Sequence, residues 1–289
     1  MGRRTRRLPA LPARMRGRPL ASTSLGGRMQ RTLPFSSFFL GGFECSTHRR
    51  ANGAQLDLLS ATRHDMLAQR DYAQLKTLGI ATVRDGMRWH LIETRPGHYD
   101  WRSLLPMVQA AHTAGVQVIW DLCHYGWPLD LDIWSPQFVV RFARFAREAA
   151  RLIASESGSI PWFCPVNEIS FWAWAGGELG HMAPVGLGRG AELKRQLVRA
   201  SLAARAEIRA AVPHARFIDA EPLIHVVPAT FDPADIAAAE GHRLSQYEAF
   251  DMLSGRRSRS SVGRRRRSMF SGSISIRTIN GCTGAARSR

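Results

Sequence analysis

The chain has 289 residues, which is enough for one large domain with a sizeable core. Its 45% hydrophobic and 22% charged residues are typical of an ordinary globular protein. No run of about 18 apolar residues occurs, so the sequence predicts no transmembrane span and no membrane partner.

The formal charge of +17 lies in the two ends of the chain. Residues 1–31 hold nine arginines and residues 256–289 hold ten, with no acidic residue in either segment. Without these 19 charges the rest of the chain carries a net charge of −2. Such tails can bind nucleic acid, or they can be solvated segments without a specific partner. Neither has interleaved aromatic residues, so we expect disordered basic tails, 1–33 and 256–289, and no specific nucleic-acid partner.

Targeting and redox signals are weak. Prolines and arginines interrupt the apolar residues between 8 and 20, so a secretory signal is not predicted, whereas a transit peptide or a misplaced start codon both fit. The four cysteines, at 45, 123, 164 and 282, show no paired spacing. They predict free thiols in a reducing cytoplasm, without a metal site or a cofactor.

Between about 34 and 225, short apolar runs alternate with amphipathic segments. The predicted strands, in chain order, are residues 33–42, 80–84, 116–121, 162–166 and 216–220. The predicted helices are residues 71–78 before Gly79, 103–113 before Gly115, a helix that begins at Pro136 with Ser135 as its N-cap, and about 193–211. Five such repeats indicate a parallel α/β sheet.

Both a doubly wound sheet and a TIM (β/α)₈ barrel fit this alternation. No glycine-rich phosphate loop follows the first strand, which weakens the nucleotide-binding version. Polar side chains instead follow the strand ends: Arg84, Asp121 with His124, and Asn167 with Glu168. In a barrel these ends converge on one mouth, where barrel enzymes perform their chemistry, so we favour the barrel.

Glu168 is the best candidate for acid–base chemistry. A carboxylic acid that protonates a glycosidic oxygen can later accept a proton from water. Asn167 before it can hydrogen-bond a sugar hydroxyl. Asn-Glu is a common dipeptide, and a plain loop after a strand is the alternative.

Further side chains extend this candidate site. His124 can bond a sugar hydroxyl and Trp127 or Trp134 can stack on a sugar ring, although ordinary core packing is the alternative. Eight tryptophans fall within 86 residues, which favours a carbohydrate cleft. Arg84 can hold a catalytic carboxylate ionised, or it can form an ordinary salt bridge.

Six segments together resemble the β-glucosidases of glycoside hydrolase family 1 and their clan A relatives. They are residues 39–44 (FLGGFE), 82–85 (TVRD), 88–90 (RWH), 96–101 (PGHYDW), 121–128 (DLCHYGWP) and 165–168 (PVNE). The resemblance implies a (β/α)₈ barrel and retaining hydrolysis of a small β-glycoside. It assigns the acid/base to Glu168, and sugar or nucleophile contacts to Asn167, His124 and Arg84. Glu44 falls near a position that binds distal sugar hydroxyls, usually a Gln.

The resemblance covers only a partial domain, residues 34–255, with about strands one to five of the eight. The strand-seven nucleophile, a Glu before Thr or Ser and Gly, has no counterpart after residue 221. Reading suitable codons for 268–282 one nucleotide earlier spells a string like the family's sixth strand. We therefore hypothesise a frameshift near codon 256 and expect the chain as written to be inactive. A non-catalytic carbohydrate-binding remnant and a basic-tailed nucleic-acid binder are the alternatives.

Overall fold

The computed structural model describes residues 34–256. Apart from Arg256, the predicted disordered tails lie outside this range, as does Cys282, and the suspected frameshift falls at its end. Within it, the strands are β1 (Leu40–Gly42), β2 (Thr47–Arg49), β3 (Gln55–Asp57), β4 (Thr82–Gly86), β5 (Glu93–Arg95), β6 (His98–Tyr99), β7 (Gln117–Asp121), β8 (Trp162–Cys164) and β9 (Arg216–Phe217).

The helices alternate with these strands. They are α1 (Leu58–Ala61), α2 (His64–Thr77), α3 (Trp89–Ile92), α4 (Leu105–Ala114), α5 (Pro136–Ser157), α6 (Ile169–Trp172), α7 (Gly190–Ala211), α8 (Pro233–Ser245) and α9 (Glu248–Leu253). A 3₁₀ turn at Trp101–Ser103 precedes α4, and a π-helical segment, Ala173–Glu178, continues α6. None of the helices in the described range is long and apolar enough to cross a bilayer.

Five strands form one parallel sheet in the order β1-β4-β7-β8-β9. Each strand of this sheet pairs with the next strand of the same sheet along the chain, so the order never reverses. A doubly wound sheet would reverse at a switch point, whereas a barrel keeps this sequential order. The sheet is therefore an incomplete (β/α)₈ barrel, as predicted.

The main core lies between the sheet and its outer helices. In α5, Phe138, Phe142 and Phe145 share one buried face, as the helical spacing predicts. All three rings contact Trp89, with centroid distances of 5.7, 5.1 and 5.3 Å. This aromatic cluster packs α5 against α3, and α5 connects β7 to β8 in the chain.

The element boundaries differ from the predictions where side-chain hydrogen bonds decide the path of the chain. The first strand begins only at Leu40. Before it, the Ser36 amide donates to the side chains of Thr82 and Gln117, the first residues of β4 and β7, so this segment crosses the amino end of the sheet. Ser135 precedes α5 as predicted, but its hydroxyl donates to the Asp132 carbonyl and does not cap the helix.

Two antiparallel pairs, β2–β3 and β5–β6, were not predicted. The β2–β3 hairpin follows the first barrel strand and approaches the carboxyl end of the sheet, where the Thr47 amide donates to the His124 carbonyl at 3.0 Å. It thus braces the loop that follows β7.

Candidate active site

The predicted polar residues meet at the carboxyl edge of the parallel sheet. Arg84 lies in β4, Asp121 ends β7 and His124 follows three residues later. Asn167 and Glu168 follow β8, and backbone bonds continue the ladder past the strand ends, from the Asn167 amide to the Cys123 carbonyl at 3.0 Å. The shared edge brings together side chains that are more than 80 residues apart in sequence.

Glu168 sits in a tight turn between β8 and α6. Its backbone is left-handed, with φ 44° and ψ 61°, which is uncommon for a residue other than glycine. Its amide donates to the Ala220 carbonyl at 2.9 Å and its own carbonyl accepts from the Trp172 amide at 2.9 Å. The turn directs the half-buried carboxylate toward the loop after β7.

Tyr125 is the direct partner of the Glu168 carboxylate. Its hydroxyl donates to Glu168 Oε2 at 2.9 Å and accepts from Asn167 Nδ2 at 3.1 Å. Burial, reinforced by the negative charge of Glu168, raises the pKa of the Tyr125 phenol, so the phenol keeps its proton at neutral pH. Tyr125 lies in the segment 121–128, but the sequence predicts no role for it, because the orientation of its side chain depends on a left-handed backbone, φ 72°.

Asn167 connects Tyr125, the partner of Glu168, to the side chains of His124 and Arg84. Its Nδ2 lies 2.8 Å from His124 Nε2, and its Oδ1 accepts from Arg84 Nη2 at 2.6 Å. Since Nδ2 can only donate, this network assigns the His124 proton to Nδ1, which faces Asp121 Oδ2 at 3.4 Å.

Asp121 is the charged anchor of the network. Arg84 Nη2 donates to both of its carboxylate oxygens, at 2.9 and 2.7 Å. Burial opposes the ionisation of Asp121, but His124 and Arg84 outweigh it and hold the pKa of this carboxyl below its usual range. Arg84 was expected to serve a catalytic carboxylate. The carboxylate that it holds among the described residues is Asp121, while its buried Nε has no hydrogen-bond partner there.

Glu44 also reaches the mouth. Its Oε1 accepts from the Ser46 amide at 3.0 Å and lies 3.8 Å from His124 Nε2. The side chain is 53% exposed, so it is open to a ligand.

The eight tryptophans differ in burial. Four of the eight, at positions 89, 120, 127 and 172, are at most 5% exposed. Trp127 donates through Nε1 to the Leu131 carbonyl and packs against Phe138 and Trp172. This burial does not fit the stacking of its ring on a sugar, and the core-packing alternative is the better description. Trp174, at 37%, is the most exposed of the eight.

Glu221 is a site residue that sequence reasoning missed. It lies just beyond β9, and its carboxylate accepts from the Ser170 amide at 3.0 and 3.3 Å. Burial raises its pKa to about 7, and the charge of Glu168 adds to the effect. The signal was present in the sequence, because Glu221 directly follows the predicted strand 216–220.

One cluster has the composition of a metal site. The ligand atoms of Cys45, Asp121 and His124 lie within 4.8 Å of one another. However, Arg84 already occupies both Asp121 oxygens, and burial raises the pKa of the Cys45 thiol, which opposes the thiolate that a metal requires. We assign hydrogen bonding, and no metal, to this cluster.

Solved structures with the same fold were found by comparison. The family 1 β-glucosidase from Thermotoga maritima is 18% identical with a TM-score of 0.55, over 62% of this chain and 42% of that one. The same enzyme in complex with deoxynojirimycin is 18% identical with a TM-score of 0.56, over 64% and 43%. The virulence factor SghA from Agrobacterium tumefaciens is 20% identical with a TM-score of 0.58, over 65% and 44%.

These similarities establish the fold, a part of a (β/α)₈ barrel like that of the family 1 β-glucosidase. The chain spans less than half of the length of the structures it resembles. No protein-family model and no curated protein matches it.

Proposed function

We propose that the chain is related to the family 1 β-glycosidases and that its site binds a small β-linked glycoside, with Glu168 as the general acid/base of retaining hydrolysis. The observation that carries this proposal is the network at the barrel mouth, in which Tyr125 holds the Glu168 carboxylate beside Asn167 and His124. The fold shared with a β-glucosidase adds support.

The chemistry assigned to Glu168 has two steps. As an acid it would protonate the departing glycosidic oxygen, and as a base it would then take a proton from the attacking water. In the free site the Tyr125 hydroxyl donates to Oε2 of Glu168, so one lone pair of this carboxylate is already engaged. Asn167 and His124, with Glu44 at the rim, supply the hydrogen-bonding groups that would hold sugar hydroxyls.

Retaining hydrolysis also needs a nucleophilic carboxylate about 5–5.5 Å from the acid/base. The sequence after residue 221 holds five acids and no Glu followed by Thr or Ser and Gly: Asp232, Asp235, Glu240, Glu248 and Asp251. We therefore propose that the chain as written binds a glycoside without cleaving it. This same observation favours the second candidate, a carbohydrate-binding protein that keeps the site without catalysis.

Binding and turnover can be tested separately. Calorimetric titration of the full chain with deoxynojirimycin should detect binding, and His124→Ala should weaken it about tenfold through the loss of one or two polar contacts. The exposed His214 provides the matched control, since His214→Ala should leave affinity unchanged. An absence of binding, or equal binding by all three proteins, would contradict the proposal.

Turnover of a nitrophenyl β-glucoside separates the two candidates. The chain as written should show none, whereas a version with the reading frame restored near codon 256 should hydrolyse it. Glu168→Gln in the restored version should lower kcat by a factor of about 10² or more, because the general acid is lost. A restored version that binds deoxynojirimycin but never turns over substrate would favour the carbohydrate-binding candidate.

We also propose that the protein functions in the cytoplasm. Cys45, Cys123 and Cys164 are buried free thiols, which is typical of proteins in reducing compartments.

A further inference from the structure

We propose that Glu221 is a positioning residue for Glu168: its carboxylate binds the Ser170 amide and thereby fixes the turn that directs Glu168 into the barrel mouth. This inference rests on the proposed acid/base role of Glu168.

The first link is the start of α6. The first amides of a helix lack partners within the helix, and the residue before the helix commonly accepts from one of them with its side chain. Glu168 occupies that position, yet its side chain makes no such bond and reaches Tyr125 instead. Glu221, from the end of the next barrel strand, supplies the acceptor for Ser170 at 3.0 Å. The Glu168 carboxylate is thus released from capping.

The second link is the conformation of Glu168. A left-handed backbone costs a residue other than glycine on the order of 1–3 kcal/mol and persists only where its surroundings over-determine it. Ala220 accepts from the Glu168 amide at 2.9 Å, and the adjacent Glu221 binds Ser170. Two neighbouring residues after β9 therefore hold the turn on both sides of Ile169.

The charges around Glu221 fit this role. The groups that influence it are Glu168, the Ser170 amide and side chain, and Lys194 on α7. Lys194 also donates to Glu248 Oε2 on α9 at 3.1 Å, so the Lys194 ammonium is shared between Glu221 and Glu248. Because either form of a carboxyl group offers an acceptor oxygen, Glu221 can hold Ser170 when protonated or ionised.

The first test needs no glycoside. Hydrogen exchange of the Ser170 and Glu168 amides, followed by NMR in the full chain, should accelerate about tenfold or more in Glu221→Ala, the equivalent of one lost charge-assisted bond. Glu221→Asp keeps the charge but shortens the reach, so it should behave like the Ala variant and replaces it if that variant does not fold. Glu221→Gln keeps an acceptor and should stay within about threefold of the wild type.

Two controls make this readout specific. Among the described residues, the exposed Glu240 pairs with Arg243 on its own helix, so Glu240→Ala should leave the Ser170 and Glu168 amides unchanged. In the wild type the Ser170 amide shift should titrate with a midpoint of about 7, the pKa of Glu221, and this titration should vanish in Glu221→Gln. Unchanged exchange in both the Ala and the Asp variants would overturn the proposal.

The second test reads the consequence for the site. Affinity for deoxynojirimycin should fall about tenfold in Glu221→Asp and be retained in Glu221→Gln. Faster exchange without a change of affinity would show that Glu221 is merely structural and would overturn its positioning role. If the wild type does not bind deoxynojirimycin, the proposed function fails, and the exchange data still decide whether Glu221 fixes the turn.

Discussion

At the scale of single residues, a buried network ties β4 to α2. Asp85 accepts from His64 Nε2 at 2.8 Å and from the Tyr72 hydroxyl at 2.5 Å. The other ring nitrogen of His64 lies 2.9 Å from Asp71, and Phe43 stacks on the ring with a centroid distance of 3.7 Å. The network holds the strand that carries the site arginine, so it links core stability to the geometry of the mouth.

His64 makes this network dependent on pH. Burial alone would lower its pKa, but hydrogen bonds to Asp85 and Asp71 reverse the effect and raise it above the ordinary value of about 6.5. The imidazolium is therefore favoured in the folded state. Its contribution to stability is complete below about pH 6.5 and is lost as the pH rises through the elevated value.

We predict that this loss is visible in urea unfolding between pH 6 and 9. His64→Ala should cost about 3–5 kcal/mol below pH 6.5, because it removes one partner of a buried ion pair, and its cost should shrink at higher pH. His214→Ala, at an exposed position, serves as the control. A cost that is constant from pH 6 to 9 would contradict the assignment of a proton to His64.

At the scale of elements, the sequence predicts what is periodic. The face of α5, and the helices that end before Gly79 and Gly115, follow from spacing and from glycines whose φ is 73° and 61°. The β2–β3 pair could not be predicted, because three-residue strands show no alternation. The burial of Trp127 could not be predicted, because an indole ring suits both a cleft and a core and only tertiary packing decides between them.

The candidate site was predictable to the extent that it follows strand ends. That rule selected Arg84, His124, Asn167 and Glu168, and the structure brings them into one network. The same rule would have selected Glu221, had the fifth strand been followed to its end. The rule cannot predict which way a side chain points. The left-handed turns at Tyr125 and Glu168 orient their side chains toward the mouth, and these turns depend on hydrogen bonds made across the sheet.

One loop prediction concerns Gly126, which follows β7. A Cβ there would overlap the carbonyl and hydroxyl oxygens of Thr47 in the β2–β3 hairpin. Gly126→Ala should therefore destabilise the protein by about 2–3 kcal/mol, measured by urea unfolding. Gly42→Ala is the matched control, because its Cβ would meet its nearest neighbour, the Arg84 carbonyl, at an ordinary 3.8 Å. Equal costs for the two variants would contradict this packing.

At the scale of the whole molecule, the described sheet has two edges, β1 and β9. Exposed apolar side chains lie near both: Phe38 and Phe39 before β1, and Leu223, Val227 and Phe231 after β9. In a closed barrel further strands would cover such edges. Within the described residues, the mouth is nevertheless formed by β1, β4, β7, β8 and β9 and by the segments that follow these strands, which is why a partial barrel can present it.

The most direct measurement is a crystal structure of the full chain with deoxynojirimycin. The account predicts the ring of the imino sugar at the carboxyl edge of the sheet, with its hydroxyls within about 3.2 Å of Asn167 and His124. It predicts the Glu168 carboxylate facing the same ring. A ligand bound elsewhere, or Glu168 and His124 on opposite faces of the sheet, would contradict it.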